Sequence, residues 1–384
     1  MKTPEAQHYP FVVKGTFYLL FGILLVYALI EAKEFLWPIA LATLFSYLIY
    51  PAVLFFETKL RFPRILATLV AIILLILAIA FAVGFLYKQL SQMLSDLPTI
   101  QHQTLENIDK VYALIENNFG ISTSEQKVWS KNFISNLSKG GNSNLGSVFS
   151  QTTETIVKIV LLPVFMFFML FNRNKFKNFI MQVTPRRNRI PVANIIKDVS
   201  NITQHYMGGV FVVVVVLSIL NSLGLYIIGL KYAIMLGSIA ALFSFIPYFG
   251  NILGYSIPLA FAIFTQGDPH LILGVITLFF IMHFTENNIL MPNIVGGNVQ
   301  LNAFVIILSL IVGATIWGIP GMLVIVPFMA VLRIIFENIP NMRPYAYLLG
   351  NKGTDEHSVT LSKIKSLFKK KVSIEQKINE ENNP

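Results

Sequence analysis

The sequence contains 384 residues, of which 55% are hydrophobic and only 12% are charged, and its mean hydropathy is +0.66. A soluble protein carries about twice that charged fraction, so the composition excludes an ordinary water-soluble globular protein and indicates a membrane protein. The formal net charge of +10 is therefore assigned to cytoplasmic loops and lipid headgroups rather than to nucleic acid. The absence of cysteine excludes disulfides and thiolate chemistry.

Three apolar windows without charged residues follow one another in the N-terminal part, at residues 15–30, 35–56 and 65–87. A helix needs about 20 such residues to cross the hydrocarbon core, so each window predicts a transmembrane helix. The first window is predicted to be a retained span rather than a cleaved signal peptide, because no A-x-A type cleavage site follows it.

The segment 88–150 differs from the spans, since five lysines are balanced by five acidic residues. This balance predicts an extracytoplasmic position. Leu90, Met93, Leu94 and Leu97 have helical spacing, so amphipathic helices are expected here, before a flexible glycine-rich loop at 140–146. The sequence leaves open whether this segment is a helical cap on its neighbours or a gate for substrate.

A fourth, weaker span is predicted at 156–172, and a basic segment follows it at 173–207. That segment carries seven lysines and arginines against a single Asp198, which predicts that it is cytoplasmic. A fifth span is predicted at 206–230.

The C-terminal half is poorer still in charge. From Tyr206 to Leu332 the only charged residues are Lys231, Asp268 and Glu286. Apolar windows lie at 232–267, 271–292 and 303–337, and proline and glycine interrupt the first and the last. A straight helix of 35 residues would extend about 52 Å, well beyond the membrane, so these two windows are predicted to be broken or re-entrant.

These elements predict an all-α, polytopic transmembrane helical protein of about eight membrane segments in the inner membrane, with both termini in the cytoplasm. The chain divides into N-terminal helices (1–87), an extracytoplasmic helical segment (88–150), and a fourth span with a basic cytoplasmic loop (151–205). A transmembrane core with the transport motifs (206–340) and a cytoplasmic tail (341–384) follow.

Four short motifs in the last 150 residues point to one family. They are Ile246-Pro247-Tyr248-Phe249-Gly250, Glu286-Asn287-Asn288-Ile289-Leu290-Met291-Pro292, Ile294-Val295-Gly296, and Trp317-Gly318-Ile319-Pro320-Gly321-Met322 with Pro327. With the layout of the spans, they resemble the bacterial autoinducer-2 exporter family of membrane permeases over about residues 10–350. The resemblance implies export of small molecules or sodium/proton antiport and no enzymatic activity. The chain departs from the family pattern at Gly208-Gly209 and at Asn302-Ala303.

Glu286 is the strongest candidate for ion coupling, because a carboxylate inside an apolar segment is costly and marks a functional site by default. His283 lies three residues earlier on the same helical face, and Asn287 and Asn288 follow. One helix end is therefore predicted to offer a carboxylate, an imidazole and amide oxygens to a cation or proton. The structural alternative is a buried glutamate that hydrogen-bonds a neighbouring broken helix.

The helix interruptions are the second group of candidates. Unwound backbone at membrane depth needs polar partners or lines a cavity, so its carbonyls are candidate ligands or gates. The alternative is a kink needed only for packing, and packing is favoured at the second interruption. The candidate residues are Pro247, Tyr248, Gly250 and Asn251 at the first interruption and Gly318, Pro320 and Gly321 at the second.

Enzymatic, metal and cofactor sites are not predicted. The sequence has no G-x-S-x-G elbow, no H-E-x-x-H motif and no phosphate-binding glycine loop. The predicted function is a permease that exports a small, autoinducer-2-like solute or exchanges cations for protons. The alternatives are a passive channel and a non-transporting membrane scaffold. The expected partners are the solute or ion and the lipid bilayer, with a homo-oligomer possible.

Overall fold

The computed structural model describes residues 11–96, 98–100, 102–104, 106–108, 116, 152–296 and 301–351. Within these ranges the secondary structure is helical, apart from an isolated antiparallel bridge between Leu301 and Gly350. The prediction of an all-α fold is therefore confirmed. The predicted loop at 140–146, most of the segment beyond residue 108 and the tail from 352 lie outside the described residues.

Twelve α-helices are described, together with two π-helical segments that continue α8 and α9 at Ala262–Gln266 and Glu286–Val295. The α-helices are α1 Phe11–Glu31, α2 Lys33–Thr58, α3 Arg64–Ser95, α4 Thr152–Phe171, α5 Arg173–Val183, α6 Arg189–Ile228, α7 Ala233–Phe243, α8 Phe249–Phe261, α9 Pro269–Thr285, α10 Ala303–Trp317, α11 Ile319–Asn338 and α12 Arg343–Leu349.

Five described helical segments are long and apolar enough to cross a membrane. They are Lys33–Thr58, Arg64–Ser95, Arg186–Ile228, Pro269–Val295 and Ile319–Asn338. Shorter apolar helices occupy the first and fourth predicted spans and the two interrupted windows. This pattern supports a polytopic membrane protein, and large apolar side chains such as Phe81 and Phe280 are exposed where lipid would cover them.

Helix α6 is longer than the span predicted from the sequence. It begins at Arg189 rather than near Tyr206, and its 40 residues extend about 60 Å at 1.5 Å per residue. The second half of the predicted basic loop is therefore helical and continuous with the fifth span. No glycine or proline lies between Pro191 and Gly208, so nothing in the sequence ends the helix there.

Helix α6 is also the centre of the fold. It packs against α7, α9, α11 and α2, and against the π-helix that follows α9. Val213, Leu217 and Leu225 along α6 are fully buried. A separate group of helices, α2, α3 and α4, packs around Ala42, Val53, Ala67 and Met166. The candidate site lies on the α6 side of the molecule.

The end of α3 and the segment after it pack on one end of this core through Met93 and Ile100, whereas Leu90 and Leu94 of the amphipathic spacing are exposed. Residues 98–100, 102–104 and 106–108 are helical, and the Asn107 amide donates to the carbonyl of Thr265 at 3.0 Å. The Tyr232 hydroxyl donates to the carboxylate of Asp96 at the end of α3. Burial, and then the bond to Asp96, raise the pKa of Tyr232 to about 12, so the phenol remains a donor at neutral pH.

Candidate functional site

The first interruption is a true break between α7 and α8. Residues 244–248 connect the two helices, and Tyr248 adopts φ 63° and ψ −60°. The Phe249 amide donates to the Pro247 carbonyl at 2.8 Å, so Tyr248 is the central residue of a γ-turn in its rare, strained form. A tyrosine with positive φ persists only where the surrounding structure holds it, and such residues cluster at ligand sites and switches.

Glycines hold α8 close to α7 just after this break. A Cβ added to Gly250 would lie 1.8 Å from the carbonyl oxygen of Phe243, and one added to Gly254 would lie 2.6 Å from that of Ala240. Any larger residue would therefore collide with the backbone of α7. The Gly250-x-x-x-Gly254 spacing places both glycines on one face, as in small-residue packing between membrane helices.

The second feature of the site is the transition from α9 to a π-helix. Helix α9 ends at Thr285, and residues Glu286–Val295, which include Pro292, form the π-helical segment. Long π-helical segments are rare, and π-bulges occur frequently at functional sites. The transition places Glu286 at the first position of the altered helix, facing α8.

Glu286 is buried, with 2% of its surface exposed, and both of its hydrogen bonds are accepted by the same carboxylate oxygen, Oε2. The Asn251 amide donates to Oε2 at 3.0 Å, and the Tyr255 hydroxyl approaches the same atom at 3.4 Å. The Ser244 hydroxyl in turn donates to the Asn251 side-chain oxygen at 3.0 Å. Among the described residues Oε1 accepts no hydrogen bond, so this oxygen is free to take a proton or a cation.

A cavity of about 530 Å³ opens beside this cluster. Its wall is built by α6, the α7–α8 break, α8, the end of α9, the π-helix, α10 and α11, and most of it is apolar. Six sequence candidates line the cavity: Pro247, Tyr248, Asn251, His283, Glu286 and Asn287. The structure therefore brings the first helix break and the Glu286 motif to one site. The size and mixed lining are typical of pockets for small molecules.

Asn287 and Asn288 differ in their surroundings. The Asn287 amide nitrogen lies 3.1 Å from His283 Nε2, so these two side chains form a polar pair on the cavity wall. Asn288 lies outside the lining and donates to the carbonyl of Phe284 in its own helix at 2.9 Å. Gly250 also lies outside the lining, where it is a packing residue.

The second interruption lies away from the cavity. Gly318, at φ 65° and ψ −139°, forms the turn between α10 and α11, and Pro320 stands in the first turn of α11. A Cβ on Gly321 would lie 2.0 Å from the carbonyl oxygen of Gly313, so the two helices touch at these glycines. The Trp317 indole donates to the carbonyl of Leu29 at 3.0 Å and ties α1 to this hairpin. These contacts agree with the packing interpretation favoured for this motif.

Sequence reasoning missed three polar residues of the site, Tyr255, Ser244 and Tyr206. Tyr255 lies four residues after Asn251, so their shared helical face was a usable signal. Its ring stacks on Phe279 of α9 at 4.4 Å between centroids, which holds the hydroxyl near Glu286. Ser244 lies in the break between α7 and α8, and Tyr206 lies on α6; both line the cavity. No local sequence pattern predicts that either residue belongs to the site.

Comparison with known protein families agrees with the motifs found in the sequence. The model of the AI-2E family of transporters matches residues 17–341, which is most of the chain and includes every residue of the site. The chain belongs to the AI-2E transporter family. The resemblance inferred from the four motifs is thereby confirmed.

Relatives of this AI-2E family transporter occur in Bacillus subtilis and Escherichia coli. YueF of Bacillus subtilis (strain 168) is 27% identical over 314 residues, which cover 79% of this chain and 83% of YueF. The AI-2 transport protein TqsA of Escherichia coli (strain K12) is 23% identical over 324 residues, 83% of this chain and 90% of TqsA. YrrI of Bacillus subtilis (strain 168) is 31% identical over 182 residues, 47% of this chain and 51% of YrrI.

Proposed function

We propose that this AI-2E family transporter moves a small polar solute or a cation outward through the cavity beside Glu286, and that Glu286 couples this movement to protons or cations. The observation that carries the proposal is the position of Glu286. It is a buried carboxylate with one oxygen bound by Asn251 and Tyr255 and the other free, at a cavity between two irregular helices.

The chemistry of coupling follows from the cost of a buried charge. An ionised carboxylate with two polar neighbours in a largely apolar wall is expensive, and binding a proton or a cation removes that cost. A proton and a cation therefore compete for Oε1 and cannot occupy it at the same time. Such competition at one carboxylate is the simplest basis for exchange of a cation or solute for a proton.

The helix breaks provide the second requirement, a site whose walls can rearrange. Alternating access uses discontinuous helices around a central site, and the α7–α8 break and the π-helix after α9 meet at the cavity. Tyr248 stores backbone strain at this point, so its turn is a natural place for a local conformational change.

Direction, energy source and location in the cell rest on the sequence. The basic segment at 173–207 favours the cytoplasm, which places both termini inside and residues 88–150 outside the inner membrane. The sequence has no phosphate-binding glycine loop, so an ion gradient rather than ATP is the proposed source of energy. An autoinducer-2-like solute is the proposed cargo because TqsA is named an AI-2 transport protein.

Flux in proteoliposomes of purified protein tests this function. We expect a proton or sodium gradient to drive uptake or release of the cargo, and Glu286→Gln to abolish the coupled flux without loss of folded protein. Glutamine preserves the shape and can still accept a hydrogen bond from Asn251, but it has no titratable charge. Glu286→Asp should retain part of the flux, and the pH dependence of the wild-type flux should vanish in the glutamine variant.

Asn293→Ala is a matched control, because Asn293 is on the same π-helix but is exposed and donates only to its own helix, at Ile289. It should transport like the wild type. If Glu286→Gln transports with the wild-type rate and pH profile, Glu286 is structural and coupling through it is refuted. Flux that follows only the solute's own concentration gradient, with no effect of a proton or sodium gradient, would indicate a passive channel. No flux of any tested solute or ion would favour the scaffold.

A further inference from the structure

A second cavity, of about 680 Å³, lies between α2, α5 and the N-terminal half of α6. It shares no lining residue with the cavity beside Glu286. Its lining combines three cationic side chains, Arg173, Lys177 and Lys197, with hydroxyl and amide groups from α2 and α6. The hydroxyl and amide groups belong to Thr43, Ser46, Tyr47, Tyr50, Ser200 and Asn201, among others. None of the described residues that line it is acidic.

The cations of this cavity are not equivalent. Arg173 is paired with Glu57 by a two-pronged ion pair, with one bond of 3.0 Å, and its guanidinium also lies 5.2 Å from the centre of the Tyr50 ring. Glu57 also lies 4.0 Å from Arg64. Among the described residues Lys177 and Lys197 form no ion pair. The cavity therefore holds two positive charges without an ion-pair partner in the part of the chain that the structure describes, one from α5 and one from α6.

Helix α5 combines basic and exposed apolar side chains. Its basic residues lie within the first five positions, and Phe176, Phe179 and Val183 are exposed by 53%, 64% and 69%. A short helix with basic and exposed aromatic residues, directly after the span α4, is typical of a helix lying in the membrane interface. Phosphate groups of phospholipids occupy that depth.

We propose that this cavity binds a phosphate-bearing anion, with Lys177 and Lys197 as its charged ligands and the Tyr47 and Tyr50 hydroxyls of α2 and the Asn201 amide of α6 as further donors. The Thr43 and Ser46 hydroxyls donate to carbonyls of their own helix. The interfacial position of α5 favours the headgroup of an anionic phospholipid over a phosphorylated solute from the cytoplasm. Bound there, the anion would add a second link between α5, α6 and α2, beside the ion pair of Arg173 with Glu57. This proposal does not depend on Glu286 or on transport.

Thermal unfolding of the purified protein in a neutral detergent tests the proposal, with phosphatidylglycerol, phosphatidylcholine and glycerol phosphate as probes. We expect phosphatidylglycerol to raise Tm and phosphatidylcholine to leave it unchanged. In the double variant Lys177→Gln, Lys197→Gln the affinity should fall about fivefold per lysine, or roughly 25-fold in total. Both side chains are exposed, so the variant should fold, and Lys177→Arg with Lys197→Arg should restore binding.

Lys175→Gln is the matched control, since Lys175 is an exposed lysine on the same helix but lies outside the cavity lining. It should retain the wild-type response. Stabilisation by phosphatidylglycerol alone identifies the lipid as the source of the phosphate, and an equal response to glycerol phosphate identifies a soluble ligand. The proposal is overturned if neither phosphatidylglycerol nor glycerol phosphate raises Tm. It is also overturned if the double variant responds to these probes as the wild type and Lys175→Gln do.

Discussion

The substitution Gly250→Ala tests whether the close packing of α7 and α8 positions the polar groups of the cavity beside the break. The added Cβ would lie 1.8 Å from the Phe243 carbonyl oxygen, whereas an ordinary carbon–oxygen contact is about 3.3 Å. The obstacle is backbone rather than a flexible side chain, so α8 must move from α7 by roughly 1.5 Å. Overpacking of this kind costs about 1–3 kcal/mol, and the backbone obstacle favours the upper end.

The same movement would disconnect the site. Asn251 follows Gly250 directly, and its amide lies 3.0 Å from Glu286 Oε2. A shift of roughly 1.5 Å would take that pair beyond hydrogen-bond distance. A hydrogen bond to a charged group contributes about 1.5–3 kcal/mol, so the loss predicts at least about a tenfold fall in coupled flux.

Two measurements check this prediction, thermal stability by size-exclusion after heating and flux in proteoliposomes per folded protein. Gly84→Ala is the control, since a Cβ at Gly84 in α3 would meet no atom within 4 Å. It should be neutral or slightly stabilising in the helix. A Gly250→Ala protein with the Tm and the flux of the wild type would refute the close approach of α7 and α8 and its role in placing Asn251.

Three further predictions concern the outer end and the topology. The hydrogen bond from Tyr232 to Asp96 should stabilise the folded protein fully below about pH 10, and this stabilisation should be lost as the pH rises through about 12. A plot of Tm against pH should therefore show a fall in this range for the wild type that is missing in Tyr232→Phe. Asn107→Ala removes the hydrogen bond to the Thr265 carbonyl and should lower the free energy of unfolding by about 1 kcal/mol, detected as a lower Tm. An unchanged Tm would mean that this bond does not anchor the segment after α3. Because the chain has no cysteine, a cysteine at position 142 should react with an impermeant maleimide only from outside and one at position 178 only from inside. The reverse labelling would invert the topology.

The sequence determined the class of the protein and one candidate site residue, Glu286. Apolar runs of about 20 uncharged residues are long enough to cross the hydrocarbon core as helices, so their lengths and positions were enough to predict the all-α polytopic fold. Glu286 stood out because charge is scarce between Tyr206 and Leu332. The break at Pro247 and Gly250 was likewise visible, since both residue types interrupt helices.

Only the tertiary structure decided which candidates act together. It joined Asn251 to Glu286 across 35 positions of sequence, added Ser244 and Tyr255 to the same cluster, and left Gly318, Pro320 and Gly321 in a packed hairpin. It also gave Gly250 a packing role that its position in a broken helix did not reveal. These outcomes depend on which helix faces pack, and a charge-poor sequence carries little amphipathic pattern from which to predict those faces.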